Sequence, residues 1–470
     1  MEDRVRALAA SAPAVMRGFW GARVIRLDTG DVLIRENARR NFVPASNVKL
    51  FSTALALDRL GPDHRFITTV VAEVPVLSDG VVRGDLRLIG GGDPTMSARE
   101  TPYRKGPAAG DPMAGMEALV DQIVTRGVRR VEGNVIGDDT AYLWQPHAGG
   151  WAQDDVVFDY GAAVSALVFN DNVLTLLLRP AENPGEPATI RLVPPLAYFA
   201  IDNRVTTVAS GAPRVKFDRL PGTRQLILWG ALREGSAGTA IIAAVEDPAR
   251  LAAFALRDAL VRRGVTVTGE AFARHRRPWD PVEERPGFEL ARRTSPPLIE
   301  VLKITNKASQ NLYAEIARRE VARVRRNDGS LEGGLAEMRE FLSEIGLSEG
   351  LYRLEDGSGL SRLNLVTPSV VVRLLEFMAA RHGDPWIDTL PVGGEDGTLS
   401  TRFRDMPRAS FVQAKTGSLS GVNTLSGYAT TSRGERLAFS LMVNNTITEN
   451  SRAPAEVRLF LDRAAAILAE

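Results

Sequence analysis

The two ends of this chain share one structural character, and the long middle has another. Near the start, 22–27 and 32–35 alternate apolar and polar residues, with Asp28-Thr29-Gly30-Asp31 as the turn, so a hairpin is expected. A helix follows over 46–57, with Pro44 near its start and Gly61-Pro62 ending it. At the far end, helices are expected over 298–305, 309–325, 333–345 and 367–381. Strands over 409–416, 425–431 and 436–443 come next, then a closing helix over 453–469. The middle reads as extended over 67–92, loop over 96–110 and mostly β over 172–242. A Pro- and Arg-rich linker is expected over 276–297. The economical architecture is one α/β domain built from both chain ends and interrupted by a long insertion. For 470 residues, at roughly 100–200 per domain, two to four domains are expected.

Two stretches of the insertion look alike. A helix over 116–125 runs through Arg126-Gly127 into a valine-rich strand, and 251–267 repeats the pattern through Arg263-Gly264. Packing alone produces such units, so no duplication is inferred. Gly90-Gly91-Gly92 lacks the following Gly-Lys-Ser/Thr of a phosphate-binding loop and reads as a turn.

Composition removes several kinds of chemistry. There is no cysteine, which excludes thiol catalysis, Cys-ligated zinc and disulfides. The four histidines, His64, His147, His275 and His382, lie too far apart for a helical metal motif, so no metal and no cofactor are expected. Lys+Arg is 58 and Asp+Glu 57, which gives no reason to expect a nucleic-acid partner. No apolar run is long enough for a transmembrane helix. The opening residues lack a secretory pattern, which fits either a cytoplasmic protein or a chain that starts after a removed signal.

Only six of the basic residues are lysine: Lys49, Lys105, Lys216, Lys303, Lys307 and Lys415. Where arginine is so favoured, a remaining lysine can mark a site needing a compact or deprotonatable amine, which arginine cannot supply. Ser46 and Lys49 stand three apart on an expected helix, on one face and within reach of each other. A desolvated lysine can serve as the base that a serine nucleophile needs. By composition, about a third of one Ser-xx-Lys match is expected by chance, so the pair alone also reads as a helix start. Lys415-Thr416-Gly417-Ser418 ends an alternating strand that puts Thr416 and Ser418 on one side and Lys415 and Gly417 on the other. Glycine there admits a ligand backbone, and hydroxyls beside an ammonium suit a carboxylate. The plainer reading is an edge strand entering a turn. Ser309-Gln310-Asn311, preceded by Lys307, reads either as a helix cap or as a proton relay with an orienting amide.

In this order the three motifs resemble the active-site set of penicillin-interacting serine enzymes. The whole chain resembles the low-molecular-weight class C penicillin-binding proteins, the D-alanyl-D-alanine carboxypeptidase/endopeptidase (peptidase S13) family. Gly90-Gly91-Gly92-Asp93-Pro94, Asn306-Lys307, Asn311-Leu312-Tyr313-Ala314-Glu315 and the Asp356-to-Arg362 stretch carry the likeness further. The long gap between Lys49 and Ser309 separates it from compact β-lactamases.

The resemblance implies a penicillin-binding transpeptidase-like (β-lactamase-like) α/β domain of 1–66 plus 285–470, its antiparallel sheet flanked by helices. An insertion domain of 67–94 plus 165–284 and a nested one of 95–164 would interrupt it. It also implies Ser46 as nucleophile, Lys49 as base, Ser309 as proton relay to the leaving D-alanine, Asn311 on the substrate amide and Lys415 as the positive charge. Thr416, Gly417 and Ser418 would hold the terminal carboxylate, with the N–H groups of Ser46 and Ser418 as oxyanion hole, and Arg362 would contact the acyl side of the stem peptide. Gln310 stands where the family usually shows Asp, and Thr305 where it usually shows an apolar residue. The implied partners are peptidoglycan stem peptides and β-lactams, and the implied location is periplasmic or otherwise extracytoplasmic. The balance of carboxypeptidase and cross-link-cleaving activity, and any homo-oligomer, stay open. The alternatives are a β-lactamase or esterase on the same scaffold, or a silent cell-wall binder.

Overall fold

The hairpin near the start is completed by strands from the other end of the chain. In a computed structural model, which describes residues 1–281, 286–447 and 452–470, one five-stranded antiparallel sheet runs Val412–Leu419, Val422–Thr430, Arg436–Asn444, Phe19–Arg26, Val32–Glu36. The join is continuous, from Phe19 opposite Asn444 to Arg26 opposite Leu437. Both faces of this sheet are covered. Leu437, Phe439, Leu441 and Val443 pack with Val5, Val15 and Phe460, from the first two helices and the last. Ala438 and Met442 face the opposite layer, which holds the helices Val48–Leu60, Leu298–Lys307, Asn311–Arg326, Leu331–Glu344 and Pro368–His382. Full burial of each large apolar side chain is worth about 1.5–3 kcal/mol, and a one-residue slip would swap the two faces. Register is therefore fixed across a join between the two chain ends.

The insertion has a second five-stranded sheet in the order Ala271–Arg276, Val135–Leu143, Leu86–Ile89, Ile67–Ala72, Phe288–Thr294. The two similar helix-strand units lie side by side, their short first strands pairing in a separate three-stranded sheet with Val81–Val82. Ala271–Arg276 runs parallel to Val135–Leu143, Thr266–Val267 runs parallel to Arg130–Val131, and helices Ala114–Thr125 and Pro248–Arg262 share one apolar core. Between these units, residues 173–244 form two three-stranded sheets of their own.

Two expectations need correction. The linker over 276–297 contains a strand, Phe288–Thr294, that pairs with Ile67–Ala72 and buries Leu290 and Ala291. Its two arginines point to opposite sides and are both paired: exposed Arg292 with Glu289, and half-buried Arg293 with the buried Asp93. Residues 95–164 were expected as the nested unit. Strand pairing instead puts Val135–Leu143 in the middle of the outer insertion's sheet, and the stretch with sheets of its own is 173–244. Partner choice is a long-range property that local periodicity does not carry. The expected edge at 284/285 lies outside the described residues.

Candidate active site

Ser46 sits in a tight turn, Ala45–Asn47, that leads into the helix Val48–Leu60. Ala45 holds the left-handed conformation at φ +48°, which costs a residue with a Cβ about 1–2 kcal/mol. The turn is clamped from two sides. A Cβ on Gly359 would lie 1.9 Å from the Ala45 carbonyl oxygen, and one on Gly417 would lie 2.7 Å from that of Pro44. Neither position can carry a side chain without moving the serine. Asn47 fastens the same turn to the sheet, donating from Nδ2 to the Lys415 carbonyl at 2.9 Å and accepting from Ser426 Oγ at 2.7 Å.

Lys49, one turn on, is fully buried. Its Nζ lies 2.9 Å from Ser46 Oγ, 2.6 Å from Asn311 Oδ1 and 2.7 Å from the Ser358 carbonyl oxygen. The two carbonyl oxygens can only accept. A neutral amine has two N–H donors for them and one lone pair, which matches a proton donated by the Ser46 hydroxyl. Burial lowers the Lys49 pKa to about 7, against the attraction of Asp356 and Glu315. Lys415 is also fully buried, and its Nζ donates to Ser309 Oγ and to the Thr416 carbonyl, both at 2.8 Å. Burial first, and then the charge of Lys49, hold Lys415 well below the ordinary lysine value.

Ser309 has φ +58° and precedes the helix Asn311–Arg326. The helix expected from 309 thus starts two residues later, with Gln310 as its cap, the Gln310 side chain accepting from the Leu312 N–H. Asp is a common cap too, so Gln310 fills a role suited to the residue it replaces. Asn311 donates from Nδ2 to the Tyr160 carbonyl at 2.7 Å, which ties the insertion to the site.

The strand Val412–Leu419 is the sheet's edge on this side. The Ala414 N–H donates outward to the Pro391 carbonyl at 2.9 Å. Alternation along the strand therefore turns the N–H groups of Thr416 and Ser418 toward the same open edge. Thr416 Oγ1 lies 2.8 Å from Thr398 Oγ1. Lys307 does not enter the cleft chemistry. Its Nζ bonds the Leu390 carbonyl and Asp396, which steadies the loop that carries Thr398.

Ser46, Ser309, Asn311, Arg362 and Ser418 line one cleft of about 570 Å³, and Asp154, Asp155 and Tyr160 of the insertion form its far wall. Arg362 is exposed and donates to the Ser420 carbonyl at 2.9 Å, bridging two loops at the rim. A separate cavity of about 450 Å³ beside Tyr103 and Lys307 contains neither Ser46 nor Lys49.

The sequence reading assigned no role to Glu315 or Asp356. Glu315 Oε1 accepts the N–H groups of Gly357 and Ser358, both at 2.8 Å, and so aims the Ser358 carbonyl at Lys49. Asp356 accepts from the N–H groups of Gly359 and Ser361, from Asn364 and from the Trp151 indole. The one signal for Glu315 was its position four residues after Asn311, on the same helix face. For Tyr160 and Trp151 the sequence held no signal.

The model for the D-Ala-D-Ala carboxypeptidase 3 (S13) family matches residues 1–466. A D-alanyl-D-alanine carboxypeptidase of Actinomadura sp. is 36% identical over 446 residues, spanning 92% of this chain and 79% of that one. D-alanyl-D-alanine carboxypeptidase DacB of Haemophilus influenzae is 25% identical over 438 residues, spanning 91% and 87%. The crystal structure of penicillin binding protein 4 from Haemophilus influenzae superposes with TM-score 0.84 at 24% identity, covering 99% of each chain, and so shares the fold. With a family match along nearly its whole length, and with Ser46 on a cleft and the two buried lysines hydrogen-bonded to the serines that line it, this chain belongs to the D-Ala-D-Ala carboxypeptidase (S13) family of serine peptidases.

Proposed function

We propose that the chain removes the terminal D-alanine from peptidoglycan stem peptides through an acyl-enzyme on Ser46, and that β-lactams acylate the same serine. The observation that carries this is the 2.9 Å approach of a buried, easily neutralised Lys49 to Ser46 Oγ. Lys49 takes the hydroxyl proton as Oγ attacks the carbonyl carbon of the penultimate D-alanine. The N–H groups of Ser46 and Ser418 hold the oxygen that becomes negative. The C–N bond then breaks, and the leaving nitrogen takes the Ser309 hydroxyl proton, which Lys415 resupplies. Before the second half-reaction Lys49 gives up the proton it took and Lys415 regains the one it lost. Water, deprotonated by the neutral Lys49, then attacks the ester, and that proton passes to Ser46 Oγ as the ester C–O bond breaks. Asn311 aligns Lys49 through Oδ1, and the amide hydrogen not given to Tyr160 is left for a substrate carbonyl.

The two lysines divide the charge between them. No carboxylate among the described residues offsets the burial of Lys415. A terminal carboxylate held by Thr416 and Ser418 supplies that counter-charge. A charged Lys415 then presses Lys49 toward its neutral form. The substrate thus readies its own base. Arg362, facing Asp154 and Asp155 across the cleft, would meet the acyl side of the stem peptide. The same chemistry would cut D-alanyl cross-links, and a substrate in the cell wall places the protein outside the cytoplasm.

The test is covalent labelling by a tagged penicillin, read after denaturation. Ser46→Ala is expected to abolish the label. Equal labelling of the variant would remove Ser46 from the mechanism, and no labelling of the native chain would reject the acyl-enzyme reading.

A further inference from the structure

Ser46, Ser309, Thr416 and Ser418 also line a second cavity of about 280 Å³, together with Arg402 and Arg458. No carboxylate lines it. Arg402 is already committed: its Nε and Nη2 lie 2.9 and 2.6 Å from Asp462, and its side chain is only 13% exposed. Arg458 stands on the last helix, Arg452–Leu468, one turn before Asp462. It is exposed and has no hydrogen bond or ion pair among the described residues, and its charge acts on Asp462 through space. Two cations thus share one carboxylate, leaving a net positive charge and an unoccupied guanidinium at the wall of a cavity that contains the serine nucleophile.

On the proposed reading, the substrate's terminal carboxylate sits against the hydroxyls of Thr416 and Ser418. Two neutral donors leave its outer lone pairs unsatisfied. A guanidinium offers five N–H donors in a fixed fork matched to a carboxylate, which a hydroxyl does not. We propose that Arg458, backed by the Arg402–Asp462 pair, is a specificity-determining residue that receives the terminal carboxylate of the substrate and selects free acids over uncharged ends. The last helix, far from the three motifs in sequence, thereby takes part in substrate choice. This inference rests on Ser46 being the acylated serine.

The experiment compares Arg458→Ala, Arg458→Lys and the native chain, each with benzylpenicillin and with its methyl ester, which keeps the ring and removes the charge. The readout is the second-order acylation rate. For the native chain, the free acid is expected to react faster than the ester. In Arg458→Ala this preference is expected to fall about tenfold, through the acid alone, as for a lost charge-assisted hydrogen bond. Arg458→Lys is expected to restore part of it. The acid reaction of the native chain is also expected to slow with added salt more steeply than that of Arg458→Ala. An unchanged acid-to-ester ratio in Arg458→Ala, or equal loss for both compounds, overturns the inference and leaves the acyl-enzyme intact. A native chain that neither compound labels overturns the acyl-enzyme reading, and this inference with it.

Discussion

Replacing Lys49 with arginine keeps a positive charge near Ser46 and removes the only group among the described residues placed to take its proton. The loss can be worked from the site. With the Lys49 pKa at about 7, about half of the molecules carry a neutral amine at pH 7. An ordinary arginine, with pKa above about 12, leaves fewer than about one molecule in 10⁵ neutral at that pH. If burial depressed arginine as far as it depresses this lysine, the neutral fraction would still be about one in a hundred. Acylation should therefore fall at least about fifty-fold, and by as much as about 10⁵-fold if the site does not depress the arginine. The assay is the rate of tagged-penicillin labelling between pH 5 and 9. Native protein is expected to gain about tenfold in rate per pH unit below 7 and to level off above it. The arginine variant is expected to show no plateau in this range. Arginine adds atoms where Lys49 is fully buried, so Lys49→Met, of similar length, serves as the control: it should melt cooperatively and fail to acylate. A Lys49→Arg protein labelling within about threefold of native, or a native profile flat from pH 5 to 8, would refute the lysine-base argument.

Three further outcomes are expected. Gly359→Ala must displace the Ala45 carbonyl, 1.9 Å from the new Cβ, and adopt φ +86°; it should cost on the order of 3 kcal/mol in unfolding experiments and slow labelling. Glu315→Gln removes one of the charges that hold the Lys49 pKa up, so the acid limb of the labelling profile should move to lower pH, with a melting temperature lowered by the loss of a buried partner of Arg318. At His275, burial lowers the pKa, but hydrogen bonds and charge from Asp139 and Asp247 outweigh it and raise it to about 9. The protonated form is thus favoured in the folded state, and its stabilisation is complete below about pH 6.5 and lost as pH rises through about 9. The stability difference between native protein and His275→Gln should shrink across that window by at most about 3 kcal/mol, measured by denaturant titration at pH 6 and pH 9.5.

Much of this molecule was legible in one dimension. Helix and strand positions in both end segments were readable because each element keeps an apolar face at its own period, and both faces of the first sheet are buried. The Ser-xx-Lys pair was readable because three residues span one helical turn, and Thr416 and Ser418 because strands alternate. The strand Phe288–Thr294 was hidden because its adjacent arginines resemble linker composition, and only its pairing with Ile67–Ala72 and packing with the helix Ala114–Thr125 give Leu290 and Ala291 a buried side. The nesting of the insertion was misplaced for the same reason: pairing between strands more than a hundred residues apart leaves no local mark.

The sequence by itself determined which residues could do acyl-transfer chemistry: one serine with a lysine a turn away, a second serine before an asparagine, and a lysine entering a glycine-bearing strand. Only the tertiary structure decided that Lys49 can be neutral near pH 7. That property comes from complete burial among three fixed partners, two of which, Asn311 and Ser358, lie more than 250 residues away. A side chain's proton affinity depends on what surrounds it in space, and only folding brings those surroundings together.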